Sequence, residues 1–181
     1  DEDVLMRSDE LRVMFRAVEN RINPWDGCVS NKTVDDVDEV ALRKFVERGR
    51  EKGRITFEYT NAAEVLDRLS LIEGDRLLNA GTALFCPSIL TDLKMAIFAT
   101  HRRTEILDLR HEDCLLFDLV RIGETFVLSN TRNRVDTSTP GASDVIPEIP
   151  KKAVHEALMN AYAHRDWESR SAVMVEIFND D

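Results

Sequence analysis

The sequence predicts an α/β fold of the α+β kind. Three observations carry that prediction. Segments with helical hydrophobic spacing fall at 8–22, 36–52, 61–72, 112–128 and 151–165. Between them lie short apolar stretches of strand character, notably 93–99 and 172–178. Hydrophobic residues make up 43% and charged residues 32%, which supports a packed core and excludes wholesale disorder.

The elements follow in order. Ser8 is a natural N-cap for the first helix, with Asp9 and Glu10 in the turn where the helix dipole favours acids. Leu11, Met14, Phe15, Val18 and Ile22 form its stripe, and Pro24 stops it. The stretch 23–35, with Pro24, Gly27, Ser30 and Asn31, has linker composition. Asp36 and Glu39 resemble a capping box for a second helix over 36–52, ended by Gly53. A short strand is expected at 55–59. Asn61 caps a third helix, with Glu64 at the capping-box position and Gly74 as its stop. The run 77–85 is apolar and small, and periodicity does not decide between strand and helix there.

Residues 93–99 are expected to be a buried strand, 100–110 a loop and 112–128 a fourth helix. The polar stretch 129–143, containing Pro140 and Gly141, predicts a long exposed connection at a domain boundary. Pro150 is expected at the first helical position of a fifth helix, where a missing N–H costs nothing. Val173, Val175 and Ile177 then share one face of a last strand.

Composition narrows function. There is no apolar run near the roughly 20 residues that span a bilayer, and no leader-like opening, so no membrane partner is expected. Cys28, Cys86 and Cys114 are odd in number and far apart, which argues against a disulfide framework and fits a reducing, cytoplasmic setting. A net charge of −10 with no basic arm disfavours direct DNA tracking. The helix at 61–72 followed by 77–85 has a winged-helix flavour, which the same acidic balance weakens as a DNA reader. His101, Arg102 and Arg103 form a polar loop, and Cys114 near a helix start has the commoner fate of a small buried thiol.

One segment concentrates chemistry. Glu156 and Asn160 are four residues apart on a helix and share a face, and His164 extends the line by another turn. A carboxylate orients or deprotonates water, and an amide oxygen is a hard ligand for Mg²⁺. The competing reading is a helix with a polar solvated face. The spacing of His155, Glu156 and His164 is not that of a zinc helix, because the two histidines fall on different faces.

The run from Glu156 through Asn160 to His164-Arg165-Asp166-Trp167 resembles the "EAL-x-NA-x-x-HRDY" signature of transcriptional regulators related to the C-terminal part of RecG-like proteins. Further matches keep the family's order: 66–72 with 79–85 is similar to "LLERLGLI … TNAGLLLF", and 103–108 to "DRTEILD". The chain departs from the pattern at Leu78, Cys86 and Trp167.

The resemblance covers about 36–181. It implies that 1–35 is a linker helix after an AlbA-like domain, 36–130 a central helical-plus-strand unit, and 144–181 the front of a GHKL-like ATPase sandwich. On it, Glu156 is the expected catalytic base and Asn160 the Mg²⁺ ligand, with His164, Arg165 and Asp166 beside the cofactor. ATP and Mg²⁺ are the implied cofactors, DNA is an implied partner through regions outside this chain, and a homodimer is compatible. The nucleotide site is expected to be incomplete here. The alternative is a structural or dimerisation module that meets no nucleotide.

Overall fold

The computed structural model describes Ser8, Leu11, Arg12, Met14 and residues 24–87, 91–136, 144–169 and 171–179. Those first four residues are helical, and the rest of the expected 8–22 helix lies outside the described residues. The chain has an α+β fold and divides into two units, Asp1–Cys86 and Pro87–Asp181. The division falls inside the expected 36–130 unit, because the strand near 93 and the helix near 116 pair and pack with later residues.

In the first unit, β1 (Val29–Thr33) lies where a linker was expected. Its partner is distant: Val29 registers with Leu78 and Thr33 with Arg76 of β3 (Arg76–Leu78). Its own polar residues give no local signal of that pairing. β2 (Ile72–Glu73) pairs on the other side of β3, so the order is β1-β3-β2. Gly74, expected as a helix stop, instead turns this hairpin at φ +64.

Helix α1 (Glu39–Glu51) is capped by Asp38, whose side chain accepts from the Ala41 N–H at 2.9 Å. Asp36 is not its cap. It accepts from the Thr33 N–H at 3.0 Å and pairs with Lys32 at 2.8 Å, closing a 3-10 turn over Val34–Asp36. The Lys32 contact, then the Thr33 bond, hold the Asp36 carboxyl below its ordinary range.

Residues 55–59 form no strand. They run back along α1. A Cβ on Gly49 would come within 2.5 Å of Ile55 Cδ1, so glycine permits this approach. The Tyr59 hydroxyl donates to Glu39 at 2.7 Å, and the Arg43 guanidinium lies 4.1 Å from the Tyr59 ring centre. Helix α2 (Ala62–Arg68) is capped by Asn61 as predicted, with the Glu64 N–H donating at 2.9 Å. The ambiguous 77–85 run divides into the end of β3 and helix α3 (Asn79–Phe85). Leu42, Val46, Val65, Leu66 and Phe85 are fully buried in this unit's core.

The second unit is a three-stranded sheet. β4 (Asp92–Phe98) is central, β5 (Ile106–Asp113) pairs antiparallel on one side, and β8 (Val173–Phe178) pairs parallel on the other. β5 replaces most of an expected loop. It alternates weakly because charged Asp108, Arg110 and Glu112 occupy one face of an edge strand. Helix α4 (Leu116–Asn130) and helix α5 (Lys151–Ala163) cover the face carrying Leu93, Met95 and Val173. Pro150 is the N-cap of α5 rather than its first helical residue. Within the expected 129–143 connection, β6 (Asn133–Asp136) pairs antiparallel with β7 (Asp144–Pro147), and 137–143 lie outside the described residues.

The two tyrosines give a pH prediction. Burial first, then the hydrogen bond to Glu39, pushes Tyr59 up to about 12. Burial raises Tyr162 further, against the lowering charge of Arg165. Both folded values exceed the ordinary 10, so the stabilisation from keeping these phenols neutral is complete below pH 10. For Tyr59 it is lost as pH climbs through about 12. A spectrophotometric titration should show almost no phenolate at pH 10 in the folded chain; half-ionisation there would contradict it.

Candidate functional site

The α5 helix presents two adjoining rows at the groove beside β8. Ala153, Ala157 and Ala161 recur every fourth residue and line the groove, with buried Val154 and Leu158 beside them. The opposite wall is β8 with Asn179, and the end of α4 and the residue after β7 contribute Arg132 and Glu148. The groove has a volume of about 1060 Å³. Alanines on the helix side leave its space open. β8 is the last strand of its sheet and, among the described residues, pairs only with β4.

Glu156, Asn160 and His164 occupy the neighbouring row of α5. All three are exposed, and among the described residues their side chains make no hydrogen bond or ion pair. They border the groove without lining it. The helix leaves them uncommitted because its packing face is carried by Val154, Leu158 and Tyr162.

Arg165 behaves differently. Its side chain is 7% exposed, and its Nη1 lies 3.8 Å from Asp92 Oδ1. The guanidinium sits 5.1 Å from the Trp167 ring centre, and Nη2 reaches the Ser169 carbonyl at 3.4 Å. Tyr162 donates to the Asp92 carbonyl at 3.1 Å, and His111 Nε2 lies 3.2 Å from Asp92 Oδ2. Arg165 therefore ties the end of α5 to the start of β4. Asp166 accepts from the Glu168 N–H at 3.1 Å, which shapes the turn after the helix. Of the five residues singled out by sequence, three share one exposed row and two serve the turn and its anchorage.

Other candidates resolve in the same way. His155 Nδ1 contacts Glu124, and Lys151 Nζ lies 4.0 Å from that carboxylate, so His155 joins α5 to α4. Burial raises the Cys114 thiol, helped by nearby Asp118, and pushes Cys86 up to about 11. Neither thiol is activated as a nucleophile. Arg103 pairs with Glu176 at 2.5 Å and lies over the Phe178 ring. Among the described residues, no group of three or more His, Cys, Asp or Glu gathers to hold a metal. No described helix is long and apolar enough to cross a membrane.

In the first unit, α2 is followed by the β2–β3 hairpin. The surface they offer is acidic at Glu64, Asp67, Glu73 and Asp75, and Arg68 is tied to Glu64 at 2.7 Å.

Sequence reasoning missed Arg132, an exposed residue that lines the groove and has no ion-pair partner among the described residues. It lies in the stretch whose composition predicts only an exposed connection. Its placement depends on the β6–β7 hairpin, where Glu148 accepts from the Arg132 N–H at 3.3 Å.

The fold defines the class: an α+β chain of two units, the second a mixed three-stranded sheet under two helices. No protein-family model and no curated protein matches the chain. A solved structure, the DIP2311 protein from Corynebacterium diphtheriae, is similar at a TM-score of 0.65 and 22% identity, over 91% of this chain. The chain spans 33% of that protein's chain. At this identity the likeness concerns the fold.

Proposed function

We propose that the second unit supplies one wall of a Mg²⁺–ATP site within a longer DNA-associated regulator. The carrying observation is the groove between α5 and β8, bordered by the uncommitted row Glu156, Asn160 and His164. The residues fit such a ligand. The helix wall is cleared by alanines, and Arg132 offers phosphate a cation with no ion-pair partner among the described residues. The Asn160 amide oxygen would hold Mg²⁺, which needs few protein ligands. Bound ATP would supply the phosphoanhydride bond that is cleaved. Glu156 would orient the attacking water from the solvated side of the row. Arg165 keeps α5 seated on β4 and so keeps that row at the groove.

Calorimetric titration of Mg²⁺-ATP tests this, on the 181-residue chain and on a version extended beyond Asp181. Binding in either version should weaken roughly tenfold or more with Asn160→Ala, the scale of losing one charge-assisted contact. Binding unaffected by that change, or no binding in both versions, would remove the nucleotide reading.

A further inference from the structure

The outer side of β5 is open. Its inner side pairs with β4 from Asp113 opposite Asp92 to Ile106 opposite Phe98. Among the described residues no strand pairs its other side. The strand is 8 residues long, and Ile106, Leu107 and Leu109 are 52%, 54% and 64% exposed. Native proteins shorten, charge or cover an edge of this kind.

We propose that a second copy of this chain covers it, joined antiparallel along β5 about a two-fold axis at Leu109. The sheets of two copies would then run on as β8-β4-β5-β5-β4-β8. This rests on β5 alone and is independent of the nucleotide reading.

The residue pattern selects that partner and that register. A two-fold axis perpendicular to a sheet keeps each face continuous, so facing residues sit at the same side of the pleat. The axis then falls on a residue. Centred on Asp108, the pairing sets two aspartates face to face. Centred on Arg110, it opposes Arg110 to its copy and Asp108 to Glu112. Both place like charges directly opposite, which is destabilising. Centred on His111, only 109–113 overlap and Leu109 faces Asp113; centred on Leu107, only 106–108 overlap.

Centred on Leu109, the overlap is regular over 108–110 and extends toward 106–112 past the bulge that β5 carries between Asp108 and Ile106. Leu109 meets Leu109 at the axis. Asp108 faces Arg110 on either side of it, so two opposite-charge pairs flank the apolar contact. These side chains already attract each other: Arg110 Nη2 lies 2.9 Å from Asp108 Oδ2 within one strand, on the same face. The Arg110 and Asp108 side chains keep 55% and 33% exposure, so both can reach across. The charge pattern is self-complementary about Leu109, which favours this chain's own copy over an unrelated strand.

Sedimentation velocity across a dilution series tests the proposal on the whole chain. The unmodified chain should be dimeric. Asp108→Arg or Arg110→Asp should each weaken the dimer at least tenfold by setting like charges opposite. The double exchange Asp108→Arg with Arg110→Asp should recover it, since the pairs return with signs reversed. A monomer at every concentration, single variants that stay dimeric, or a double variant that stays monomeric would each overturn the proposal.

A second measurement guards against misfolded variants. Residues facing each other across antiparallel strands have Cα atoms about 4.5–5.5 Å apart, within disulfide reach. Mild oxidation should therefore link Leu109→Cys chains into dimers faster than unmodified chains. Asp113→Cys, at the strand end, should not gain such a link. Absence of the Leu109→Cys link overturns the register.

Discussion

A Leu158→Ala variant is expected to lose about 3–4 kcal/mol from the stability of the second unit. Leu158 is 5% exposed and central to the layer that α5 lays on the sheet. Its two methyl groups sit over Gly123 of α4. A Cβ built on that glycine would meet Leu158 Cδ1 at 3.0 Å, Leu158 Cδ2 at 3.1 Å and Leu93 Cδ2 at 3.2 Å. Gly123 is thus the recess that receives Leu158, and truncation leaves a cavity its neighbours close only in part. The recess also predicts coupling. Gly123→Ala alone sets a gain in helix propensity of about 1 kcal/mol against a tight contact. In the Leu158→Ala background the contact is gone, so the same change should stabilise by about 1 kcal/mol. Urea unfolding followed by Trp167 fluorescence, with Trp25→Phe to silence the other indole, measures both. Additive effects would refute the recess.

Replacing Arg165 with methionine is expected to cost about 3 kcal/mol. The change keeps much of the side-chain volume and removes the charge. It leaves Asp92, with a side chain only 15% exposed, without its cationic partner. Asp92 Oδ1 already has no hydrogen bond, so the guanidinium field is its compensation. The loss should be largely relieved by adding Asp92→Asn, which removes the stranded charge. If Arg165 instead acted only at a ligand, the single variant would unfold like the unmodified chain and Asp92→Asn would add nothing. Thermal unfolding of the two singles and the double separates these results.

Legibility in the sequence follows how local the determining contacts are. β8 is legible because Val173, Val175 and Ile177 alternate toward a buried face. α5 is legible from Val154, Leu158 and Tyr162, and α2 from the Asn61 cap. β1 carries no such mark. Apart from Val29 its residues are polar, and its partner Leu78 lies far along the chain. β5 is hidden for another reason: as an edge strand it buries neither face fully, so charge and apolarity mix along it.

The site divides along the same line. The row Glu156, Asn160 and His164 follows from helical spacing alone. That Arg165 turns inward does not, because its partner Asp92 comes from another strand. Nor does the place of Arg132, set by the β6–β7 pairing. The acidic surface of α2 and the β2–β3 hairpin was readable from composition, since Glu64, Asp67 and Asp75 are local.

The parallel pairing of β4 with β8 has a consequence for biosynthesis. Leu93 leaves the ribosome 80 positions before Val173, the residue it pairs with. At about 5–20 residues per second, one long side of β4 waits roughly 4–16 s for its neighbour. During that interval Leu93 and Met95 have only α4, and then α5, to shelter them, and the β4–β5 hairpin is an unfinished sheet. The first unit waits less, since Leu78 follows Val29 by 49 positions, roughly 2.5–10 s at the same rate. Codon changes that slow synthesis between 130 and 170 should therefore lengthen the time the nascent chain spends as a chaperone client, without touching any contact of the finished fold.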